Sequence, residues 1–406
     1  MAGSSAGRAI LGAAALSFFV RCGFGLILPG LPLYIHAHGI PVPDLGLASA
    51  AYMAFGIGGM LLLAPLADRF GPVRALVGGG VLYTVGTLVL LVLPSATSLL
   101  MGRALQGLAM ALTTPATFAY VALAVSAERR GGAYGTIASA QMSGFIVGPA
   151  AGGLALSLGG TATALAVALA ASILAVAAAL SLPAAGAPTG QATAPSAPRG
   201  AGAWASLTLV AAAPWGLGYL AYTVGQQIPM GVYDTVWSLY MFHLGARPWL
   251  VGASFATWAL PLVVLSPLLG RRIGGQRAPF WLVLGGLVTA AAAATYGMLR
   301  DPYAVAAVGM LEGAGAAAVI PVSNVYLAAR VPAGRMASAQ GLVGAVGQGA
   351  ALLAAVAAGY TFGMRPWLPF ALAAVGCAAG SLLFWRRERG APSPALASAG
   401  GQGVAG

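Results

Sequence analysis

The chain has 406 residues, of which 59% are hydrophobic and only 6% are charged, and its mean hydropathy is +0.89. A soluble domain carries about 25% charged residues, so this composition excludes a soluble globular protein. The formal charge of +12 could indicate a nucleic-acid partner, but the positions of the basic residues indicate a membrane topology instead.

Apolar runs of about 20 residues, the length at which a helix crosses a bilayer, recur along the whole chain. They predict an all-α polytopic membrane protein with twelve transmembrane helices. The predicted spans lie near residues 9–35, 44–66, 75–94, 98–126, 133–158, 162–182, 205–243, 249–269, 279–299, 302–327, 336–359 and 367–385. The first span is too long for the core of a signal peptide and is expected to remain as a membrane helix. Ser98 and Asp301 are expected to cap helices, and Pro29 and Pro32 are expected to bend the first span.

The basic residues, all of them arginines, are distributed very unevenly over this topology. Fourteen fall on one side: Arg8, Arg69, Arg74, Arg129, Arg130, Arg199, Arg271, Arg272, Arg277, Arg330, Arg335, Arg386, Arg387 and Arg389. Arg247, Arg300 and Arg365 fall on the other side, whereas Arg21 and Arg103 fall inside spans. By the positive-inside rule, the crowded side and both termini are expected in the cytoplasm, and the protein in the cell membrane. No nucleic-acid partner is expected.

The composition changes near the middle of the chain, where Pro, Gly, Ala, Ser and Thr dominate, as is typical of a linker. The predicted parts are a six-helix bundle over 1–182, a cytoplasmic linker over 183–203, a second six-helix bundle over 204–389 and a disordered tail over 390–406. A shift of 206 positions places Gln106-Gly107 over Glu312-Gly313 and Tyr120 over Tyr326. This match predicts a duplicated six-helix unit with both copies in the same orientation.

Three local motifs are present in the first half. In the fifth span, Gly144, Gly148, Pro149, Gly152 and Gly153 form the pattern G-x-x-x-G-P-x-x-G-G. Glycines four residues apart share one helix face and let another helix approach closely, and the proline bends the segment. Two further motifs are Asp68-Arg69-Phe70-Gly71 between the second and third spans and Arg103-Ala104-Leu105-Gln106-Gly107 in the fourth span.

These motifs and the repeat resemble the major facilitator superfamily, and within it the twelve-helix drug:proton antiporters. The resemblance implies a substrate site between the two halves, which rock to expose it to each side in turn. It implies that Asp68, with Arg69 and Gly71, latches the halves on the cytoplasmic side. It also implies that Arg103 takes part in proton coupling and that the glycine face slides between the halves. Another explanation of Arg103 is a structural side chain that reaches the outer surface.

Only two carboxylates fall inside spans, Asp234 in the seventh and Glu312 in the tenth. A proton-driven carrier needs a group that gains and loses a proton, so these two acids are the candidates, with Arg103 and Arg21 as their coupling partners. The alternative is that each acid forms a fixed ion pair with one of these arginines. Candidates for a substrate cavity are Gln106, Tyr222, Gln226, Gln227, Trp237 and Asn324, although each could equally serve helix packing.

The predicted function is therefore proton-coupled efflux of hydrophobic or amphiphilic small molecules, by a protein that works as a monomer in the bilayer. The main alternative is an uptake symporter for a sugar or organic acid on the same fold. ATP-driven transport is not expected, because the chain has no Walker sequence. No enzyme is expected, because the histidines, His36, His38 and His243, all fall at the outer rim and leave a hydrolase without a base. No cofactor and no metal are expected, since the two cysteines sit apart in apolar spans.

Overall fold

The computed structural model describes residues 2–183, 213, 215–270, 277–331 and 336–390, and within them every regular element is a helix. In chain order these are α1 (Ala2–Ile27), α2 (Leu31–Ala37), α3 (Val42–Phe70), α4 (Pro72–Val92), α5 (Ala96–Ala124), α6 (Ala127–Leu180), α7 (Gly216–His243), α8 (Pro248–Gly270), α9 (Ala278–Tyr296), α10 (Pro302–Ala328), α11 (Met336–Met364) and α12 (Leu368–Gly390). In this part of the chain, nine helical segments are long and apolar enough to cross a membrane. The predicted all-α, multi-pass fold is confirmed.

Two breaks in helices concern the predicted spans. One divides the first span, and the other separates the fifth span from the sixth. The first predicted span, 9–35, divides at the expected bending points, because α1 ends at Ile27 and Pro32 lies in the first turn of the short helix α2. Pro29 in the intervening turn has no amide hydrogen to continue the ladder of α1. The fifth and sixth spans are both within α6, which Gly159 and Gly160 interrupt. Gly160 has a φ of 72°, a conformation that costs glycine little.

The ends of two other helices follow from their capping residues. Ser95, and not Ser98, caps α5, because its Oγ accepts a hydrogen bond from the Ser98 amide at 3.1 Å. Asp301 caps α10 as predicted, with Oδ1 accepting from the Tyr303 amide at 3.0 Å. Between α3 and α4, Gly71 has a φ of 85°, so this motif glycine allows the sharp turn that separates the two helices.

The predicted internal repeat is present in three dimensions. The Tyr34 hydroxyl donates to the carbonyl of Leu90, and the Tyr240 hydroxyl, 206 positions later, donates to the carbonyl of Tyr296, itself 206 positions after Leu90. In the same way, Gly107 approaches the backbone of Tyr52 as Gly313 approaches that of Trp258. The halves α1–α6 and α7–α12 are therefore pseudo-symmetric copies.

The halves meet through two pairs of glycines that the same shift relates. Gly46 of α3 packs on Gly359 of α11, and Gly252 of α8 packs on Gly153 of α6. In each pair a Cβ on one glycine would lie about 3.0 Å from the Cα of the other, so the backbones are in direct contact. Both contacts lie at the end of the molecule opposite the many arginines, here called the far end. The end with most arginines is called the arginine-rich end.

At the arginine-rich end the described parts of the two halves are apart. A Cβ on Gly58 of α3, or on Gly341 or Gly344 of α11, would meet nothing within 4 Å. Val42 and Phe255 pack against the far-end cores of both halves, whereas the described cores at the arginine-rich end share no such residue. The space between the halves is therefore closed at the far end.

The predicted linker lies outside the described residues from position 184 onward, and so does the tail from position 391. The division into bundles over 1–182 and 204–389 stays a prediction.

Candidate functional site

A cavity of about 310 Å³ lies between the halves, within the size range of ligand pockets. Helices of both halves contribute to its wall. Eight of its lining side chains are aromatic: Phe24, Tyr52, Phe145, Tyr233, Trp237, Phe255, Trp258 and Tyr296. Its ionisable lining residues other than tyrosines are Arg21, Asp234 and Glu312, and Gln227 and Gln348 add amides. Such a wall suits a flat, mainly apolar molecule that carries charge.

Arg103 of α5 is fully buried beside this cavity and is held by its own half. Its Nη1 donates to Oε1 of Gln106 at 3.3 Å, and Nε2 of Gln106 donates to Oγ1 of Thr87 at 3.2 Å. The guanidinium carbon lies 4.5 Å from the ring centre of Tyr52 and 5.4 Å from that of Phe24. The expectation that Arg103 reaches the outer surface is thus wrong, because its head is enclosed by α1, α3 and α4.

The guanidinium of Arg103 crosses to the other half of the molecule, where it faces Asp234 of α7. Nη2 of Arg103 lies 3.5 Å from Oδ2 of Asp234, whose side chain is 14% exposed. Neither atom has a hydrogen-bond partner within the described residues, so the contact is ionic and long. A buried charge that spans the interface ties the position of one half to that of the other.

We expect Asp234→Asn to destabilise the purified protein by about 3–5 kcal/mol, because it leaves the enclosed Arg103 without a counter-charge. The double variant Arg103→Gln/Asp234→Asn removes both charges and should recover much of that loss. With the single variant Arg103→Gln as the fourth protein, thermal unfolding of all four in detergent gives the coupling energy of the pair. Additive effects of the two substitutions would show that the pair contributes nothing.

Glu312 of α10 has different surroundings. Its side chain is only 3% exposed, and its Oε2 accepts a hydrogen bond from the Tyr296 hydroxyl at 2.7 Å. Tyr233 also faces it from α7. Within the described residues no arginine lies within 4 Å of its carboxylate. The two membrane acids therefore differ: Asp234 is in an ion pair, and Glu312 is hydrogen-bonded and uncompensated.

The structure places the predicted cavity residues in different surroundings. Gln227 and Trp237 line the cavity, and Nε1 of Trp237 donates to Oγ of Ser254 at 2.8 Å. The other four do not line it. Gln106 holds Arg103, Gln226 donates to Sγ of Cys377, Tyr222 packs in an aromatic cluster with Tyr219 and Phe384, and Asn324 is exposed.

The sequence reasoning missed most of the aromatic wall. One signal was available for two of its members, Tyr52 and Trp258, which lie 206 positions apart. Each has its backbone against the glycine that follows Gln106 or Glu312, namely Gly107 or Gly313. A glycine that follows a polar residue in a membrane helix predicts a close neighbouring helix. The repeat predicts that the neighbour of Gly313 lies 206 positions after the neighbour of Gly107.

The glycine motif of α6 has two separate packing roles. A Cβ on Gly144, Gly148 or Gly152 would strike the carbonyl of Phe18, Cys22 or Leu26, which follow each other at the same spacing on α1. These three glycines therefore bind α6 to α1 within one half, and the expectation that they slide between halves is wrong for them. Gly153 and the carbonyl of Pro149 face Gly252 of the other half.

The expected latch lies largely outside the described residues. Asp68 and Arg69 lie in the last turn of α3, but their side chains are not among the described ones, and residues 332–335 before α11 lie outside the described part. The predicted contact of Asp68 with the start of α11 near Gly334–Ala337, or with Arg129 or Arg130, therefore stays a prediction.

The family model described as Major Facilitator Superfamily matches residues 13–308, most of the chain. The chain belongs to this superfamily. It is a multi-pass membrane transporter rather than an enzyme.

Two curated relatives have names that concern drug resistance. The chain is 29% identical over 146 residues to "Multidrug resistance protein 2" of Bacillus subtilis (strain 168), covering 35% of this chain and 36% of that protein. It is 27% identical over 140 residues to "Quinolone resistance protein NorA" of Staphylococcus aureus (strain MRSA252), covering 34% and 35%. The matched region thus spans about a third of the length of these relatives.

Solved structures similar to this one cover nearly the whole chain. The nucleoside transporter NupG aligns with a TM-score of 0.74 and 14% identity, covering 94% of this chain and 99% of that one. The peptide transporter POT in complex with sulfate aligns with a TM-score of 0.72 and 15% identity, covering 94% of each chain. At such identities the likeness concerns the fold alone.

Proposed function

We propose that this transporter exports amphiphilic aromatic compounds in exchange for protons. One observation carries the proposal: a cavity walled by aromatic side chains contains a carboxylate, Glu312, with no arginine within 4 Å among the described residues. Such a group gains and loses a proton without breaking an ion pair. A positively charged part of a substrate and a proton compete for it, and this competition is what exchange requires.

Asp234 has a second role in this proposal. Its ion pair with Arg103 connects the two halves, so any change in its protonation alters how strongly they hold each other. Proton binding at Glu312 governs occupancy of the cavity, and the Arg103–Asp234 pair governs the movement of the halves. Drug resistance in the names of the two relatives supports export, although they match only a third of their length.

The proposal includes a membrane orientation. The arginine-rich end faces the cytoplasm, with both termini there, in the cell membrane. The halves touch at the far end. This state fits the proposal that the cavity opens to the cytoplasm, where an exporter takes up its substrate. The chain functions as a monomer, with a small molecule and protons as its partners and without a cofactor.

Transport by the purified protein tests this proposal. Reconstituted into liposomes with an imposed pH gradient, the protein should move the cationic dye rhodamine 123 toward the acidic side. Dissipation of the gradient with an ionophore should stop accumulation, and liposomes without protein are the control. Accumulation on the alkaline side would instead establish symport, the alternative function on this fold.

A further inference from the structure

Arg21 of α1 lines the central cavity, yet proton exchange at Glu312 and the Arg103–Asp234 pair do not involve it. The described residues contain two close ion pairs, Arg103–Asp234 and Arg330–Glu388, and Arg21 belongs to neither. A charged arginine inside a membrane span is costly, so it is kept there usually because it faces a polar space or a partner. Arg21 lines the cavity and has no carboxylate partner within 4 Å among the described residues. This arrangement points to a ligand that supplies the carboxylate.

The second feature is a smaller space that the same residue lines. Arg21 also lines a crevice of about 10 Å³, the size of one water molecule, between α1, α5 and α6. The crevice contains the hydroxyl of Ser17, a residue only 5% exposed, and this oxygen has no hydrogen-bond partner within the described residues. Thr114 and Gln141 add further polar groups to its wall. Ser17 and Arg21 lie one helical turn apart on α1 and line the same crevice, so one water molecule there can connect the hydroxyl to an anion held by the guanidinium.

The backbone around Arg21 is fixed by the glycine motif. A Cβ on Gly144 of α6 would lie 3.0 Å from Cβ of Arg21, so α6 packs directly on this residue. Arg21 is therefore held at the cavity wall by close helix packing. The crevice residues Ser17 and Gln141 precede the cavity residues Phe24 and Phe145 on α1 and α6, which places the crevice toward the arginine-rich end.

We infer that Arg21, supported through a water molecule by Ser17, binds a carboxylate of the transported compound. The substrate is then an aromatic zwitterion, with its anionic group at Arg21 and its cationic part toward Glu312. This inference rests on the proposed function and narrows its substrate class. The charges also explain why substrate and proton move in opposite directions. An anion alone would favour the protonated form of Glu312 and travel with the proton. A zwitterion also brings a positive charge, and this charge displaces the proton from Glu312.

Two dyes that differ in one methyl group separate the contributions. Rhodamine 110 is a zwitterion with a free carboxylate, and rhodamine 123 is its methyl ester and a cation. Binding of each dye to the purified protein in detergent is measured by fluorescence polarisation without any gradient. We expect the acid to bind about ten- to a hundredfold more tightly than the ester, as for a charge-assisted hydrogen bond. This comparison needs no variant and stands even if a variant fails to fold.

The variants then assign the preference to its residue. Arg21→Gln should remove the preference for the acid and leave the affinity for the ester within about twofold, since only the carboxylate contact is lost. Ser17→Ala should weaken only the acid. Arg300→Gln removes the same charge from an exposed position in the loop before α10 and should change neither dye.

Equal binding of acid and ester by the unmodified protein would overturn the inference. That result is expected if Arg21 instead binds an anionic lipid or an inorganic ion. An equal loss of both dyes in Arg21→Gln would overturn it too. The proposed function is judged separately: if a pH gradient drives rhodamine 123 but Arg21 does not discriminate, export stands and the carboxylate subsite fails. If Arg21 discriminates but no gradient drives either dye, the subsite stands and the exchange fails.

Discussion

Glu312→Gln abolishes proton-driven transport while the protein still folds and binds substrate. The amide is nearly the same size as the carboxyl group and can still accept the hydrogen bond from the Tyr296 hydroxyl, now 2.7 Å from Oε2 of Glu312. It cannot take up or release a proton, so the cavity loses the group for which substrate and proton compete. Gradient-driven accumulation of rhodamine 123 in liposomes should fall to the level of liposomes without protein.

A matched control shows that the effect belongs to this site. Asp44 lies in the first turn of α3, away from the cavity lining, and Asp44→Asn removes a carboxylate with an equally small change in shape. It should transport at the rate of the unmodified protein. Full transport by Glu312→Gln would exclude this residue as the proton carrier and leave Asp234 as the membrane carboxylate to test.

Gly148→Leu prevents α6 from packing on α1 and abolishes stable folding. A Cβ at this position would lie 2.5 Å from the carbonyl oxygen of Cys22 and 3.0 Å from Cα of Gly25, both of them backbone atoms that cannot move aside. Even Gly148→Ala should cost about 1–3 kcal/mol, the usual range for overpacking, and the leucine considerably more. The measurement is thermal unfolding in detergent, together with the yield of monodisperse protein.

Gly135→Ala is the control for this prediction, because it lies on the same helix with nothing within 4 Å of an added Cβ. There alanine should be neutral or stabilise the helix by up to about 1 kcal/mol. Gly153→Ala gives a different result, since its new Cβ would press on Gly252 of the other half. It should loosen the far end and raise the labelling of a cysteine introduced at that end in a protein without Cys22 and Cys377. Wild-type stability of Gly148→Leu would show that the motif has no packing role.

The fold followed from the sequence because membrane helices must satisfy their own backbone groups and because the chain is duplicated. A length of about 20 apolar residues sets each span. The shift of 206 positions, found from pairs such as Gln106 and Glu312, also relates the contacts between the halves, including Gly46 with Gly359 and Gly252 with Gly153. Pro29 and Pro32 indicated where the first span bends, but not that a separate short helix, α2, follows the bend, since prolines in membrane helices are often tolerated.

The site residues could be predicted only where they place a charge inside a membrane span, because such a charge costs free energy. Charged groups in membrane spans are few, so Asp234, Glu312, Arg21 and Arg103 could be selected by cost alone. Which acid pairs with which arginine depends on how the halves are placed, and no spacing along the chain encodes that. The aromatic wall was missed for a related reason: aromatic residues also fill the helix cores, as Tyr222 does, and sequence does not separate the two uses.

Whether substrate binding releases a proton is the most direct test of exchange at Glu312. Purified protein in weakly buffered detergent solution, with a pH indicator, receives rhodamine 123 at a concentration shown by polarisation to saturate the site. We predict a proton release from the unmodified protein and none from Glu312→Gln, with dye binding retained in both. Saturating binding without any release, or a release that Glu312→Gln leaves unchanged, would contradict competition between substrate and proton at Glu312.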